Sequence, residues 1–199
     1  MQRKQQTRTV VTRSALLKAA KELFMRVGYE GTQVDEIAKA SGMSKGALYG
    51  HFKSKEELFL AVYETKVIRY LDRLRRQVEG AVSPQEKLGA FRSFYISLAK
   101  DHSWALLTLE FKLFAVRHPH IKGRLLEIDE VQGQKAGVSL VKVLGPSRRP
   151  ATDTLGAILS AMVLEADLEP SVITERRLRS MMGQVFDALL PPEKLQTNQ

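Results

Sequence analysis

Within eight residues of this 199-residue chain stand Ser44, Lys45, Gly46, Ala47, Tyr49 and His51. If 45–52 is helical, Lys45, Gly46 and Tyr49 share an outward face, and Leu48 and Phe52, four apart, share the inward one. A lysine ammonium donates to guanine O6 or N7, and an alanine meets a thymine methyl. A tyrosine or histidine donates to a phosphate, and a glycine lets the backbone come close to base edges. That is the equipment of a short helix entering the major groove of duplex DNA. Thr32 and Gln33 upstream and Lys55 downstream add donors beside helix N-termini, which favour phosphate. Arg3, Lys4 and Arg8 can follow the backbone or enter an adjacent minor groove. Each residue also has a plainer reading: Tyr49 as a packing residue, His51 as a surface residue.

Helices must position these groups. The spacing of Leu16, Leu17, Ala20, Leu23, Phe24 and Val27 predicts a helix over 13–27, closed by Gly28. A loop covers 29–33. A short helix over 34–41 turns inward Val34, Ile37 and Ala38, and Gly42 makes the turn that follows. Ser44 caps the helix 45–52. Ser54, with Glu57 three residues on, matches a capping box for a helix over 55–78. That helix buries Leu58, Val62, Ile68, Leu71, Leu74 and Val78. Two short helices about a glycine turn make a helix-turn-helix.

Charge agrees. The chain carries a formal +9, and residues 1–60 hold 11 basic and 6 acidic side chains. A basic N-terminal third suits a polyanion. There is no cysteine, which excludes disulfide scaffolds, thiolate metal sites and thiol catalysis. The N-terminus lacks the apolar core of a secretory signal, and the longest near-apolar run, 155–164, is too short to span a bilayer. A soluble, cytoplasmic protein is expected.

Beyond 79–84 (EGAVSP) the chain becomes more apolar, with helices expected at 85–101, 103–117, 119–144, 151–168 and 174–190. A loop is expected at 145–150, and Pro191-Pro192 ends the last helix. Alternating β-branched runs are missing, so the fold class is all-α, with about nine helices. The segment 104–116 is apolar nearly all round, and such a helix is either buried on every side or lines an apolar cavity. Phe91, Phe94, Tyr95, Trp104, Leu107, Phe111 and Phe114 are the candidate lining of a ligand pocket, with core packing the competing role. Glu110, the acid inside this run, is solvent-facing, paired, or a counter-ion for a cationic ligand. Gly156 and Ser160 are small residues that let helices approach closely. With Leu159 and Val163, and with Met182, Val185 and Phe186 of the last helix, they form candidate dimerisation faces suited to a two-fold four-helix bundle.

The stretch GTQVDEIAKASGMSKGALYGHFKSKEEL resembles the DNA-binding signature of the TetR/AcrR transcriptional regulators. The matching pieces are Gly31-Thr32, Ile37-Ala38, Gly42-Met43-Ser44, Gly46-Ala47-Leu48-Tyr49, Phe52 and Ser54-Lys55-Glu56. Gly50 stands where that family often has a bulky residue, which removes one phosphate contact. The resemblance implies a DNA-binding domain over 1–54 and a helical ligand-binding and dimerisation domain over 55–199, with the helix 55–78 joining them. It implies a homodimeric repressor, released from a palindromic operator by a small hydrophobic ligand. The alternative is a helix-turn-helix regulator with no small-molecule effector, controlled by a protein partner. An enzyme is not expected, nor is a cofactor or a metal. Gly42-Met43-Ser44-Lys45-Gly46 matches a hydrolase elbow by letter, but that motif needs a preceding strand. His118-Pro119-His120 lacks the ligand set of a metal site.

Overall fold

A computed structural model of the chain describes residues 2–98, 101–136 and 149–190. Expectations for 99–100, for 137–148 and for the stop at Pro191-Pro192 lie outside the described residues. So do the side-chain surroundings of Arg3, Lys4, Arg8, Trp104, Gly156 and Ser160. All regular structure among the described residues is helical. The nine helices are α1 (Gln2–Gly31), α2 (Val34–Ala40), α3 (Lys45–His51), α4 (Lys55–Glu79), α5 (Pro84–Leu98), α6 (His102–Arg117), α7 (Pro119–Ala136), α8 (Arg149–Leu168) and α9 (Glu175–Leu189).

Helix ends follow local chemistry. The α1 helix begins well before residue 13, because the Gln-, Arg- and Lys-rich start contains good helix formers and no breaker. Apolar periodicity, the signal that set the expected start, is silent in so polar a segment. Gly28 interrupts α1 with φ 74° and ψ 173°, a conformation that glycine adopts freely. Gly42, at φ 70°, closes α2. There the Met43 N–H donates to the Ala38 carbonyl at 2.9 Å and the Gly42 N–H to Lys39 at 3.1 Å, the paired bonds of a Schellman ending. At α4 the Glu57 N–H donates to Ser54 Oγ at 3.0 Å. The return arm of the expected capping box goes one residue further back, with the Lys53 N–H donating to Glu57 Oε2 at 2.7 Å.

The chain forms two compact units, one of Met1–Val67 with Leu106–Asp129 and one of Ile68–Ala105 with Glu130–Gln199. The first therefore takes in more than 1–54, adding the start of α4 and parts of α6 and α7. Its core is built around Phe59, whose ring centroid lies 4.8 Å from Phe24, 4.7 Å from Tyr29, 4.4 Å from Phe111 and 5.0 Å from Phe114. Leu16, Ile37, Leu48, Phe52, Leu58 and Ile121 complete it, each at most 1% exposed. Burying a side chain of this size stabilises by about 1.5–3 kcal/mol. The second unit packs Leu74, Val78, Phe91, Phe94 and Leu98 against Leu155, Leu159, Val163, Leu178, Met182 and Phe186. Val27 and Ile68, expected inward, are exposed at 44% and 40%. No described helix is long and apolar enough to cross a membrane.

Candidate nucleic-acid interface

The α3 helix is held at its start by Ser44, whose Oγ accepts from the Ala47 N–H at 3.1 Å. Its inner face is fixed by Leu48, fully buried, and by Phe52 just past its end at 1% exposure. With those two anchored, the helical repeat turns Lys45, Gly46 and Tyr49 outward. All three are exposed, Tyr49 at 46%. A side-chain carbon added at Gly46 would come within 4 Å only of Ser44 Oγ, so this part of the helix surface is open. Ser44 and Gln33 are exposed, and Ala47 and His51 are half-buried. The His51 ring lies 6.3 Å from that of Phe52.

Two of the residues expected to touch phosphate are otherwise engaged. Thr32 is 2% exposed, and its hydroxyl donates to the Gly28 carbonyl at 2.7 Å. It closes the turn before α2 instead of facing outward. Lys55 Nζ donates to the carbonyls of Tyr29 at 2.9 Å and Thr32 at 3.1 Å, and lies 4.3 Å from the centroid of the Tyr29 ring. Its ammonium ties the start of α4 to the turn before α2. Burial, followed by the carboxylates of Glu56 and Glu30, pushes the Tyr29 hydroxyl up to about 12, so this ring stays neutral beneath the lysine.

Two residues that the sequence did not single out belong here. Asp35 Oδ1 lies 2.8 Å from Lys45 Nζ. That hydrogen bond and charge hold the Lys45 ammonium above its ordinary value, and Tyr49 adds in the same direction. The Arg13 guanidinium sits 5.2 Å from the centroid of the Phe52 ring, at the far end of α3. Neither contact has a local sequence signal, since each joins different helices. Around the same unit, Glu56 takes both His120 Nε2 (3.2 Å) and Arg124 (3.1 Å), and His118 Nε2 lies 3.5 Å from Glu30.

The candidate ligand residues divide between the two cores. Phe91 and Phe94 are buried in the second unit, with Tyr95 half-buried against them and its hydroxyl pushed up by burial. Leu107, Phe111 and Phe114 are buried in the first. Glu110 has a backbone partner, accepting from the Tyr29 N–H at 2.9 Å. It also lines an open cleft of about 190 Å³ with Gly28, Tyr29, Glu30, Phe114 and Arg117. Among the candidate dimerisation residues, Leu159, Val163, Met182 and Phe186 are at most 2% exposed within this one chain. Their side chains are already covered by the second unit's own core, and Val185 is half-buried.

Residues 16–62 match the profile of the family described as "Bacterial regulatory proteins, tetR family". The fatty acid metabolism regulator protein of Bacillus subtilis (strain 168) is 32% identical over 94 residues, covering 47% of this chain and 48% of that protein. The chain spans about half the length of the curated relatives it matches. Among solved structures, that of the fatty acid degradation regulator FadR from Bacillus halodurans superposes with a TM-score of 0.62 at 25% identity, covering 90% of this chain and 95% of that one. FadR from B. subtilis, solved in complex with stearoyl-CoA, gives 0.61 at 24% identity, covering 89% and 97%. With a capped α3 that presents Lys45 and Tyr49 outward and a matching profile over the helices that hold it, residues 16–62 form a domain of the kind described as "Bacterial regulatory proteins, tetR family".

Proposed function

We propose that the chain is a homodimeric transcriptional regulator that binds a palindromic DNA operator through α3 and is released from it by a small apolar ligand. The observation that carries the first part is the α3 surface. A helix pinned by two buried side chains leaves a lysine, a glycine and a tyrosine outward and exposed. Lys45 serves as a base-edge donor, Tyr49 and His51 serve as phosphate donors, and Ala47 offers a methyl contact. Gln33 and Ser44 lie beside the helix starts that favour phosphate.

Dimerisation is proposed on what the second unit leaves uncovered. Ala157 and Ala161 of α8 are exposed four residues apart, and Met181, Val185 and Leu189 of α9 are half-buried at the same spacing. Two such stripes from two copies build a four-helix seam. Recognition helices in the dimer then stand about 34–36 Å apart, or a multiple of that, to engage both half-sites. A ligand weakens DNA binding only by favouring a conformation with another spacing.

The test is selection of bound duplexes from random sequence, repeated across salt. A palindrome with a steep salt slope supports the reading. Failure to enrich any sequence removes it. For the ligand, release of the selected duplex is followed against a panel of apolar molecules. A long-chain acyl-CoA is included because the B. subtilis regulator was solved with one. The burial of Phe91 and Phe94 favours a second reading, control by a protein partner, and release by none of the panel is the result that reading expects.

A further inference from the structure

Asp35 stands in the first turn of α2, yet its carboxylate meets the ammonium of the first residue of α3. Their side chains are 65% and 57% exposed, so the pair is an open surface feature. Any base edge that Lys45 reaches therefore also faces a carboxylate one hydrogen bond away.

An acid at this point is unfavourable against a phosphate, but it fits a donor on a base edge. In the major groove an acidic side chain accepts from the N4 amino group of cytosine, and a lysine donates to guanine O6 and N7. In a G·C pair, guanine O6 and cytosine N4 are hydrogen-bonded to each other, at about 2.9 Å for a bond of this type. The protein's donor and acceptor have the same separation. An A·T pair also places a donor beside an acceptor, but thymine offers O4 next to a methyl group. Guanine offers two adjacent acceptors, which suits an ammonium with three protons.

We propose that Asp35 is a specificity-determining residue, reading one G·C pair in each half-site together with Lys45. Lys45 donates to guanine O6 and N7, and Asp35 accepts from cytosine N4. This rests on the DNA-binding reading above. An exposed ion pair is weak in water, so Lys45 gives up little when it turns from Asp35 toward guanine. Asp35 also subtracts charge near the phosphates. It lowers affinity for every sequence and restores it only where cytosine N4 is present, which is selectivity through an unfavourable element.

The experiment is duplex selection with the full chain, its Asp35→Ala variant and the isosteric Asp35→Asn variant, with thermal unfolding of all three as the control for folding. The wild type is expected to prefer G·C at one position per half-site by roughly ten-fold. Both variants are expected to bind duplexes with A·T at that position more tightly than the wild type does. At that one position the preference of Asp35→Ala falls below about three-fold with all others kept, and Asp35→Asn, whose amide oxygen still accepts from cytosine N4, keeps an intermediate preference. Unchanged preferences in both variants overturn the role of Asp35, as does an A·T pair at the affected position. If the wild type itself enriches no sequence, the DNA-binding reading fails, a result distinguishable from failure of the Asp35 role alone.

Discussion

Lys55 Nζ donates to the carbonyl oxygen of Tyr29 at 2.9 Å while lying 4.3 Å from the centroid of the same residue's ring. A second bond, to the Thr32 carbonyl at 3.1 Å, completes the clamp. The ammonium is spent inside the protein. Lys55→Ala is expected to destabilise the fold by about 2 kcal/mol, the scale of hydrogen bonds to a charged group, in urea unfolding. The salt slope of DNA binding is expected to stay unchanged. A slope lower by about one, the loss of one phosphate contact, is the result that argues against the clamp.

Tyr49 offers the opposite pattern. It is exposed at 46% and anchors nothing in the core. Tyr49→Ala is expected to change stability by no more than about 0.5 kcal/mol, as surface substitutions do. In a mobility-shift titration it abolishes binding to the selected duplex, while sedimentation shows the same oligomer as the wild type. Normal affinity for the same duplex would remove Tyr49 from the interface.

Gly28 and Glu110 form one unit. Gly28 has a positive φ, a side-chain carbon added there would lie 3.3 Å from both Glu110 carboxylate oxygens, and the next N–H donates to Glu110. Gly28→Ala is expected to destabilise by at least about 1 kcal/mol, the cost of the left-handed region for a residue with a side chain. Glu110→Ala, which strands the Tyr29 N–H, costs about 1–3 kcal/mol. Glu110→Gln keeps an acceptor oxygen and costs less. Equal losses for the two Glu110 variants in thermal unfolding would show that the carboxylate's charge matters more than the Tyr29 bond.

Asp129 accepts from the Tyr63 hydroxyl, at 2.8 and 2.9 Å to its two oxygens. Desolvation holds its carboxyl above the ordinary value, against the opposing pull of Tyr63 and Lys66. A carboxyl raised in the folded state contributes stability that is whole below the unfolded value, near pH 4, and lost as pH climbs through the folded value. Asp129→Asn, which cannot ionise, is therefore expected to gain stability over the wild type between pH 4 and pH 7. Paired urea curves at the two pH values give the sign, and a difference that moves the other way contradicts the burial argument.

The helix-turn-helix was legible because its signals are local. Ser44 caps, Gly42 turns, and Leu48 and Phe52 sit one helical repeat apart, all within eleven residues. The polar contacts around them were not legible. Lys55 reaches Tyr29 across 26 positions, and Glu110 reaches it across 81. A basic donor at the head of a helix made Lys55 look like a phosphate ligand, and only the folded turn shows two carbonyls converging on it. Apolar residues carried a different ambiguity. Phe111 and Phe91 look alike as sequence, yet one packs on Phe59 and the other beside Leu155 in a separate core. A helix that is apolar all round does not say which core each of its faces enters.

The segment between the first two helices has few free joints. The Gly28 carbonyl is held by the Thr32 hydroxyl, and those of Tyr29 and Thr32 are held by one lysine. A connection tied at three points within five residues bends poorly, so the start of α4 and the turn before α2 move as one piece. A softer connection would let the reading head swivel to suit many half-site spacings. In the proposed dimer, this one would accept few.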